Sequence, residues 1–282
     1  MAGCLYLCAT PIGNLKDITQ RVRETLEEVD LIAAEDTRNS IKILNHYEIN
    51  TPMTSYHEHN KYEKALELIE KLKEGKNIAL ITDAGTPAIS DPGEVLVREC
   101  QKSGINVTSL PGACACITAL TLSGLSTRRF SFEGFLPTDK KERKSILKEI
   151  TEDTRTVILY EAPHHLKNTL KELKEVLGDR KITLCRELTK KFETVFPTTI
   201  YEALEYYKEN DPRGEYVLVI EGKSQTEKEE EKRAGYLELS IEEHMALYEG
   251  KNMDRKEIMK QVAKERGISK RDVYNYLCGH SQ

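Results

Sequence analysis

The sequence predicts an α/β protein built on a mostly parallel sheet, followed by a small helical module. Short apolar segments alternate with amphipathic segments through the first half of the chain, which is the pattern of strands and helices around a parallel sheet. Of the 282 residues, 39% are hydrophobic and 32% are charged, so a core can form beneath a heavily charged surface. This composition excludes general disorder, a collagen-like repeat and a small disulfide-stapled fold.

The first half of the chain supplies four strands and four helices. Strands are predicted at residues 3–10, 31–35, 77–82 and near Val107. Helices are predicted at 20–29, 61–74 and 94–102, and a fourth after Pro111 and Gly112. In the helix at 61–74, apolar residues at helical spacing share one face, namely Ala65, Leu68, Ile69 and Leu72.

The second half begins at a junction near residues 130–137. Strands are predicted at 156–160, 182–186, 193–197 and 216–221, and helices at 166–177 and 200–208. The closer spacing of these strands indicates that part of the second sheet is antiparallel. The predicted domains are therefore 1–126 and 127–222, followed by a charged linker at 223–238 and a module at 239–282.

The module has the pattern of a helix–turn–helix. Residues 254–265 are helical by period, Gly267 ends that helix, and Ser269 begins a second one with a capping-box pattern. The predicted small core consists of Ile258, Val262, Ile268, Val273 and Leu277. Residues 251–271 contain eight Lys or Arg and three Asp or Glu, in a chain of net charge −5. This local basic charge suits RNA phosphates through Arg255, Lys264, Lys270 and Arg271, although a solubilising helical hairpin would look similar.

Cysteines and hydropathy indicate a cytoplasmic protein. The seven cysteines are odd in number and form no C-x-x-C pair, which is typical of reduced thiols. Residues 105–127 carry no charge, but their Ser, Thr, Gly and Pro content favours a buried strand, turn and helix over a membrane span. The N-terminus lacks the basic region of a signal peptide.

Three loops rich in glycine and proline follow predicted strands, where open α/β sheets bind ligands. They are residues 10–14, 82–93 and 110–116. The sequence contains neither the dinucleotide-binding G-x-G-x-x-G pattern nor a P-loop. Backbone groups and small side chains of this kind suit an adenosine with an amino-acid tail better than a triphosphate.

Polar side chains at strand ends are candidates for substrate contact. Glu35, Asp36 and Arg38 form either a helix N-cap with a local ion pair, or a base and a phosphate-binding group. Lys190 and Lys191 form either a solvated edge or part of a phosphate track. His57 and His59 are two residues apart and do not share a helix face, so we expect no metal site.

Nine short motifs, in one order along nearly the whole chain, carry a family resemblance. They are ATPIGNLKDIT, AAEDTRNS, SYHEHN, LITDAGTPAISDPG, SLPGACA, FEGFLP, LYEAPHHL, RELTKKFE and GEYVLVIEG. With them the chain resembles the tetrapyrrole-methylase superfamily and, more closely, the bacterial small-subunit rRNA methyltransferase I family. The resemblance implies a two-domain class III methyltransferase fold with S-adenosylmethionine in a cleft between the domains. It also implies a homodimer and methylation of a cytidine ribose 2′-oxygen in the decoding region of 16S rRNA.

The resemblance also implies site residues. The cofactor residues would be Pro11, Gly13, Gly85, Thr86, Ile89, Ala113, Cys114, Tyr160, Glu161 and Ala162. The catalytic candidates are Glu35 and Asp36 as bases, with Arg38 holding phosphate. Thr86 stands where many tetrapyrrole methylases have Asp, which argues against the first alternative function, a tetrapyrrole or diphthine-type methylase. The second alternative, a ligand-sensing DNA-binding regulator, would need a longer recognition helix than the tail offers.

Overall fold

The computed structural model describes residues 2–248, 250–251 and 253–279. The chain divides into two compact units, of which the first ends at Glu221 and the second begins at Gly222. The first unit contains two five-stranded sheets, and the second contains helices.

The first sheet is entirely parallel and has the strand order β3-β2-β4-β1-β5. Its strands are β1 (Cys4–Cys8), β2 (Leu31–Ala34), β3 (Met53–Ser55), β4 (Ile78–Ile81) and β5 (Asn106–Leu110). Its helices are α1 (Gln20–Glu28), α2 (Thr37–His46), α3 (Lys61–Lys73), α4 (Gly93–Lys102) and α5 (Ala115–Leu122). The alternating pattern therefore predicted the class correctly, and the four apolar residues that share a face of α3 are all buried.

One helix and one strand of this half of the first unit were not predicted. Helix α2 begins after Asp36, whose side chain accepts a hydrogen bond from the Arg38 backbone N–H at 2.8 Å. Asp36 therefore forms the helix N-cap, which was one of the two interpretations of this segment. Strand β3 has three residues, all only half-buried, and so produces no apolar run in the sequence.

The second sheet is mixed and has the strand order β6-β7-β10-β8-β9. Its strands are β6 (Phe130–Phe135), β7 (Thr156–Glu161), β8 (Lys181–Arg186), β9 (Thr194–Thr199) and β10 (Tyr216–Ile220). Its helices are α6 (Lys140–Glu152), α7 (Pro163–Leu177) and α8 (Ile200–Glu209). Only β6 and β7 pair in parallel, which confirms the predicted antiparallel character.

Helix α5 joins the two sheets. It follows β5 of the first sheet, yet its buried residues Cys116, Ala119 and Leu120 pack with Ile158 and Val217 of the second sheet. The prediction of a packed helix in this uncharged segment is therefore correct for α5. The prediction of a buried strand before it is wrong, because β5 lies at the edge of its sheet and three of its five residues are exposed. No helix among the described residues is long and apolar enough to cross a membrane.

The second unit consists of α9 (Gln225–Glu238), α10 (Ile241–Ala246), α11 (Arg255–Arg266) and α12 (Lys270–Gly279). The prediction of a charged linker at 223–238 is wrong, because α9 occupies most of it. Ser224 and Glu227 form a capping box, and glutamate and lysine are good helix formers. Within the unit, the Arg233 Nε–H donates to the Arg266 carbonyl at 3.1 Å, and Tyr236 stacks on His244.

The predicted helix pair of the tail is present as α11 and α12, with a glycine turn between them. Gly267 has φ +66 and caps α11, as its position in the sequence indicated. The predicted core is correct for Ile258, Val262 and Val273, with Leu277 partly buried against them. It is wrong for Ile268, which is exposed because it follows the turn. Ile241 of α10 and Met259 belong to the core as well.

Candidate active site

A cavity of the first unit lies at the carboxyl edge of the parallel sheet and faces the ends of β7 and β8. Its volume is about 550 Å³, within the range of small-molecule sites. Residues from both sheets line it: Ile12, Glu35, Thr82, Asp83, Ala84, Gly85, Thr86, Ile89, Ser90, Asp91, Cys114, Ala115, Phe135, Tyr160, Glu161, Ala162, Pro163, Cys185, Glu187, Leu188, Lys190, Glu215, Tyr216 and Val217. The site is thus placed where open α/β sheets bind ligands.

The loop after β4 is held in place by its own hydrogen bonds. Gly85 has φ +85 and exchanges two backbone hydrogen bonds with Thr10, of 2.9 and 3.0 Å. The Thr86 hydroxyl donates to the Ala113 carbonyl at 2.9 Å, which joins this loop to the loop before α5. The Asp91 carboxylate accepts from three backbone N–H groups, those of Ala88, Ile89 and Gly93. The cavity wall is therefore fixed before any ligand enters.

Strained backbone is concentrated at the cavity. Among the described residues other than glycine, five have a positive φ, and four of them belong to two cavity loops: Ala88, Ser90, Glu187 and Thr189. Such conformations cost free energy and occur preferentially at functional sites. The two loops are therefore the best candidates for ligand contact.

The loop after β8 is fixed by charge and by close packing. Lys190 Nζ lies 2.9 Å from both Glu187 Oε1 and Glu215 Oε2. A Cβ on Gly13 would lie 2.4 Å from Lys190 Cγ and 2.8 Å from the Leu188 carbonyl oxygen. Glycine at position 13 therefore lets the first loop approach this wall closely.

Two thiols meet at the wall of the cavity. Cys114 Sγ and Cys116 Sγ are 3.4 Å apart. The hydrogen bond from Cys116 stabilises the Cys114 thiolate and lowers the pKa of Cys114, against the opposing effect of burial. The same hydrogen bond raises the pKa of Cys116. Across the cavity, the Tyr160 hydroxyl accepts from the Cys116 backbone N–H at 3.2 Å, and burial raises the pKa of Tyr160.

An acidic edge borders the cavity at the ends of β2 and β4. The Thr82 hydroxyl donates to Glu35 Oε2 at 2.6 Å. Arg38 binds Asp36 through both oxygens, at 3.0 and 2.8 Å, and these hydrogen bonds lower the pKa of Asp36 to about 2. Asp83 accepts from the Asp36 backbone N–H at 3.1 Å, and partial burial raises the pKa of Asp83.

The structure brings most of the predicted cofactor residues together. Seven of the ten line the cavity: Gly85, Thr86, Ile89, Cys114, Tyr160, Glu161 and Ala162. The other three lie outside the lining. Pro11 is buried, Gly13 packs on the opposite loop, and Ala113 accepts the Thr86 hydroxyl.

The candidates for catalysis and RNA contact are more dispersed. Glu35 and Lys190 line the cavity, whereas Asp36 and Arg38 lie just outside it and the Arg38 side chain is 88% exposed. Lys191 is exposed beside Lys190. In the second unit, all four basic candidates are exposed, namely Arg255, Lys264, Lys270 and Arg271.

Several residues of the wall lie within the quoted motifs but were not singled out from the sequence. The main ones are Asp83, Ser90, Asp91, Phe135, Glu187 and Glu215. Asp83 lies two residues after β4, inside the predicted ligand-binding loop at 82–93, and could have been found from that position. Glu215 precedes an antiparallel strand, and only the pairing of that strand places it here. In the part of the chain that the structure describes, no three His, Cys, Asp or Glu side chains are grouped to hold a metal ion.

Comparisons with known proteins agree with this architecture. The family model of tetrapyrrole (corrin/porphyrin) methylases matches residues 4–204. A ribosomal RNA small subunit methyltransferase I of Halalkalibacterium halodurans is 49% identical over 97% of this chain and 94% of its own length. The protein of the same name from Haemophilus influenzae is 48% identical over 99% of this chain and 98% of its own length.

Solved structures with low sequence identity share the fold. A diphthine synthase superposes with a TM-score of 0.59 at 15% identity, over 78% of this chain and 90% of that chain. A uroporphyrin-III-C-methyltransferase from Thermus thermophilus superposes with a TM-score of 0.53 at 18% identity, over 77% of this chain and 94% of that chain. At such identities the similarity extends to the fold alone.

Proposed function

Because the chain belongs to the ribosomal RNA small subunit methyltransferase I family of tetrapyrrole-methylase-fold enzymes, we propose that it methylates 16S rRNA. The proposed reaction transfers a methyl group from S-adenosylmethionine to the ribose 2′-oxygen of a cytidine in the decoding region. The observation that carries the proposal is the similarity to these relatives over nearly the whole chain. It is joined by a cavity that is lined by residues of the motifs on which the family resemblance rests.

The cavity suits S-adenosylmethionine in size and chemistry. Its wall combines apolar side chains of Ile12, Ile89 and Val217 with backbone groups of the Gly85 loop. We assign the adenosine to the side formed by Cys114, Tyr160, Glu161 and Ala162, with Pro11, Gly13 and Ala113 supporting the wall. When bound, the cofactor supplies a methyl group activated by a sulfonium. The protein then has to orient the acceptor oxygen in line with that methyl group and remove its proton.

The acceptor would approach over the acidic edge. Arg38 is exposed there and anchored by Asp36, so its remaining N–H groups can hold an RNA phosphate. Lys190 and Lys191 would extend the phosphate contacts, and the basic residues of the second unit would add contacts to RNA phosphates of their own. In this proposal the enzyme works as a cytoplasmic homodimer on the small ribosomal subunit.

The test is mass spectrometry of 16S rRNA from a strain in which the gene has been deleted. We expect one 2′-O-methylcytidine to be missing and to return when the wild-type chain is supplied. A control strain complemented with an empty vector should stay unmethylated. An unchanged set of modified nucleosides, or loss of a base methylation instead, would contradict the proposed function.

A further inference from the structure

We propose that Asp83 is the general base that accepts the proton of the acceptor hydroxyl, an inference that rests on the proposed function. Asp83 lies two residues after the end of β4 and lines the cavity beside Glu35. It was not among the residues that sequence reasoning selected. We assign it to the acceptor side because its backbone N–H lies 3.5 Å from Glu35 Oε2, at the acidic edge.

Most other carboxylates of the cavity wall already serve structural roles. Asp91 accepts from three backbone N–H groups of its own loop. Glu161 is buried and accepts from the Ala162 N–H and the Thr169 hydroxyl. Glu187 and Glu215 share the ammonium group of Lys190. A carboxylate held in this way loses protein hydrogen bonds when it takes up a proton, which makes it a poor base.

Asp83 is held more loosely than these groups. Oδ1 accepts the Asp36 backbone N–H at 3.1 Å, and Oδ2 has only a long contact of 3.4 Å with the Asn39 side-chain amide. In the described part of the chain no Lys or Arg forms an ion pair with it. The backbone bond orients the carboxylate, while Oδ2 is available to an incoming hydroxyl.

The charges around Asp83 favour proton uptake. Partial burial raises the pKa of Asp83, and the negative charges of Glu35 after β2 and Asp36 before α2 add to this effect. The hydrogen bonds from the Asn39 amide and the Asp36 backbone N–H lower it, each by less than burial raises it. Arg38 opposes proton uptake, but Arg38 is committed to Asp36 through two hydrogen bonds. Glu35 has its own bond from the Thr82 hydroxyl, so we assign it the role of raising the basicity of Asp83.

The step is balanced without a further reactant. The ribose O–H proton moves to the Asp83 carboxylate as the O–C bond forms to the methyl carbon. The C–S bond breaks with its electron pair remaining on sulfur, which leaves a neutral thioether. Asp83 is exposed at the mouth of the cavity and can then return the proton to water.

The experiment compares Asp83→Asn with wild type in single-turnover transfer of a tritiated methyl group to small subunits, at pH 5 to 8. We expect the rate to fall by about 10²- to 10⁴-fold, the usual contribution of a general base. The affinity for S-adenosylhomocysteine, measured by calorimetry, should stay within about twofold, and Asp83→Glu should recover part of the rate. The matched control is Asp211→Asn, because the Asp211 side chain is 85% exposed and lies outside the lining of the cavity.

The pH profile separates Asp83 from its neighbour. Wild type should lose rate on the acid side, Glu35→Gln should shift that loss to lower pH, and Asp83→Asn should abolish it. A loss of cofactor affinity equal to the loss of rate would overturn the assignment, as would an acid limb that disappears in Glu35→Gln but persists in Asp83→Asn. If nucleoside analysis of the wild-type product finds no 2′-O-methylcytidine, the proposed function fails instead.

Discussion

Replacing Gly13 by alanine tests how closely the two cavity loops approach. The new Cβ would lie 2.4 Å from Lys190 Cγ and 2.8 Å from the Leu188 carbonyl oxygen. Ordinary contacts begin near 3.4 Å, so the loop after β8 has to move by about 1 Å. One of these neighbours is backbone, and Lys190 Cγ lies in the middle of a side chain held by two carboxylates. Neither neighbour can move at low cost.

The expected penalty is about 1–3 kcal/mol, which is typical of overpacking a well-packed site. If the loop moves only when the cofactor binds, S-adenosylmethionine affinity falls by about 5- to 150-fold. If the strain is present throughout, the melting temperature of the first unit falls by about 2–12 °C.

The assay is calorimetric titration with S-adenosylmethionine beside thermal unfolding. Gly235→Ala is the control, because nothing lies within 4 Å of its Cβ position. That change sits inside α9 and should leave affinity unaltered while slightly stabilising the helix. The reasoning is refuted if Gly13→Ala binds the cofactor and unfolds as wild type does.

Two further predictions concern the second unit and the thiol pair. Truncation after Gly222 should preserve cofactor affinity, because every residue that lines the cavity precedes Gly222. The truncated chain should bind small subunits more weakly, and that binding should depend less on salt concentration. If it binds subunits as the full chain does at both low and high salt, the basic helices have another role. The hydrogen bond from Cys116 lowers the pKa of Cys114. The rate of Cys114 alkylation by iodoacetamide should therefore rise with pH through a midpoint that lies below about 8.5, the pKa of an ordinary thiol. The readout is mass spectrometry of the peptide that contains Cys114, because the exposed Cys278 is alkylated as well. S-adenosylhomocysteine should slow the reaction at Cys114, and Cys114→Ser should remove the adduct at that position. Labelling of Cys114 that the ligand leaves unchanged would remove Cys114 from the proposed pocket wall.

The periodic elements were predictable because burial leaves a local signature. A strand such as β4 is buried at all four positions and is therefore an apolar run, and α3 repeats its apolar face every three or four residues. The glycine-rich loops were predictable for a similar reason, since the chain must turn sharply at the carboxyl ends of parallel strands. The family resemblance rested on these same loops, because they carry most of the motifs.

Charged segments were the least predictable from the sequence. Residues 223–233 contain no apolar side chain, so they gave no period to detect. Capping at Ser224 and the bond from Arg233 to the Arg266 carbonyl nevertheless accompany a helix there. The second of these contacts joins residues 33 positions apart, and no local pattern reports it.

By itself, the sequence determined the α/β class, most strands and helices, the edge of the first sheet where the cavity lies, and the family. Only the tertiary structure decided which carboxylates are already held by hydrogen bonds or ion pairs within the protein. Asp36 and Asp83 are both acidic residues that follow parallel strands, but Arg38 binds the first through both oxygens while the second keeps an oxygen available at the cavity. The contact between Arg38 and Asp36 is local, whereas the contacts of Asp83 with Asp36 and Asn39 join two loops more than 40 residues apart in the chain. The pairing of β2 with β4 in the first sheet brings those two loops together.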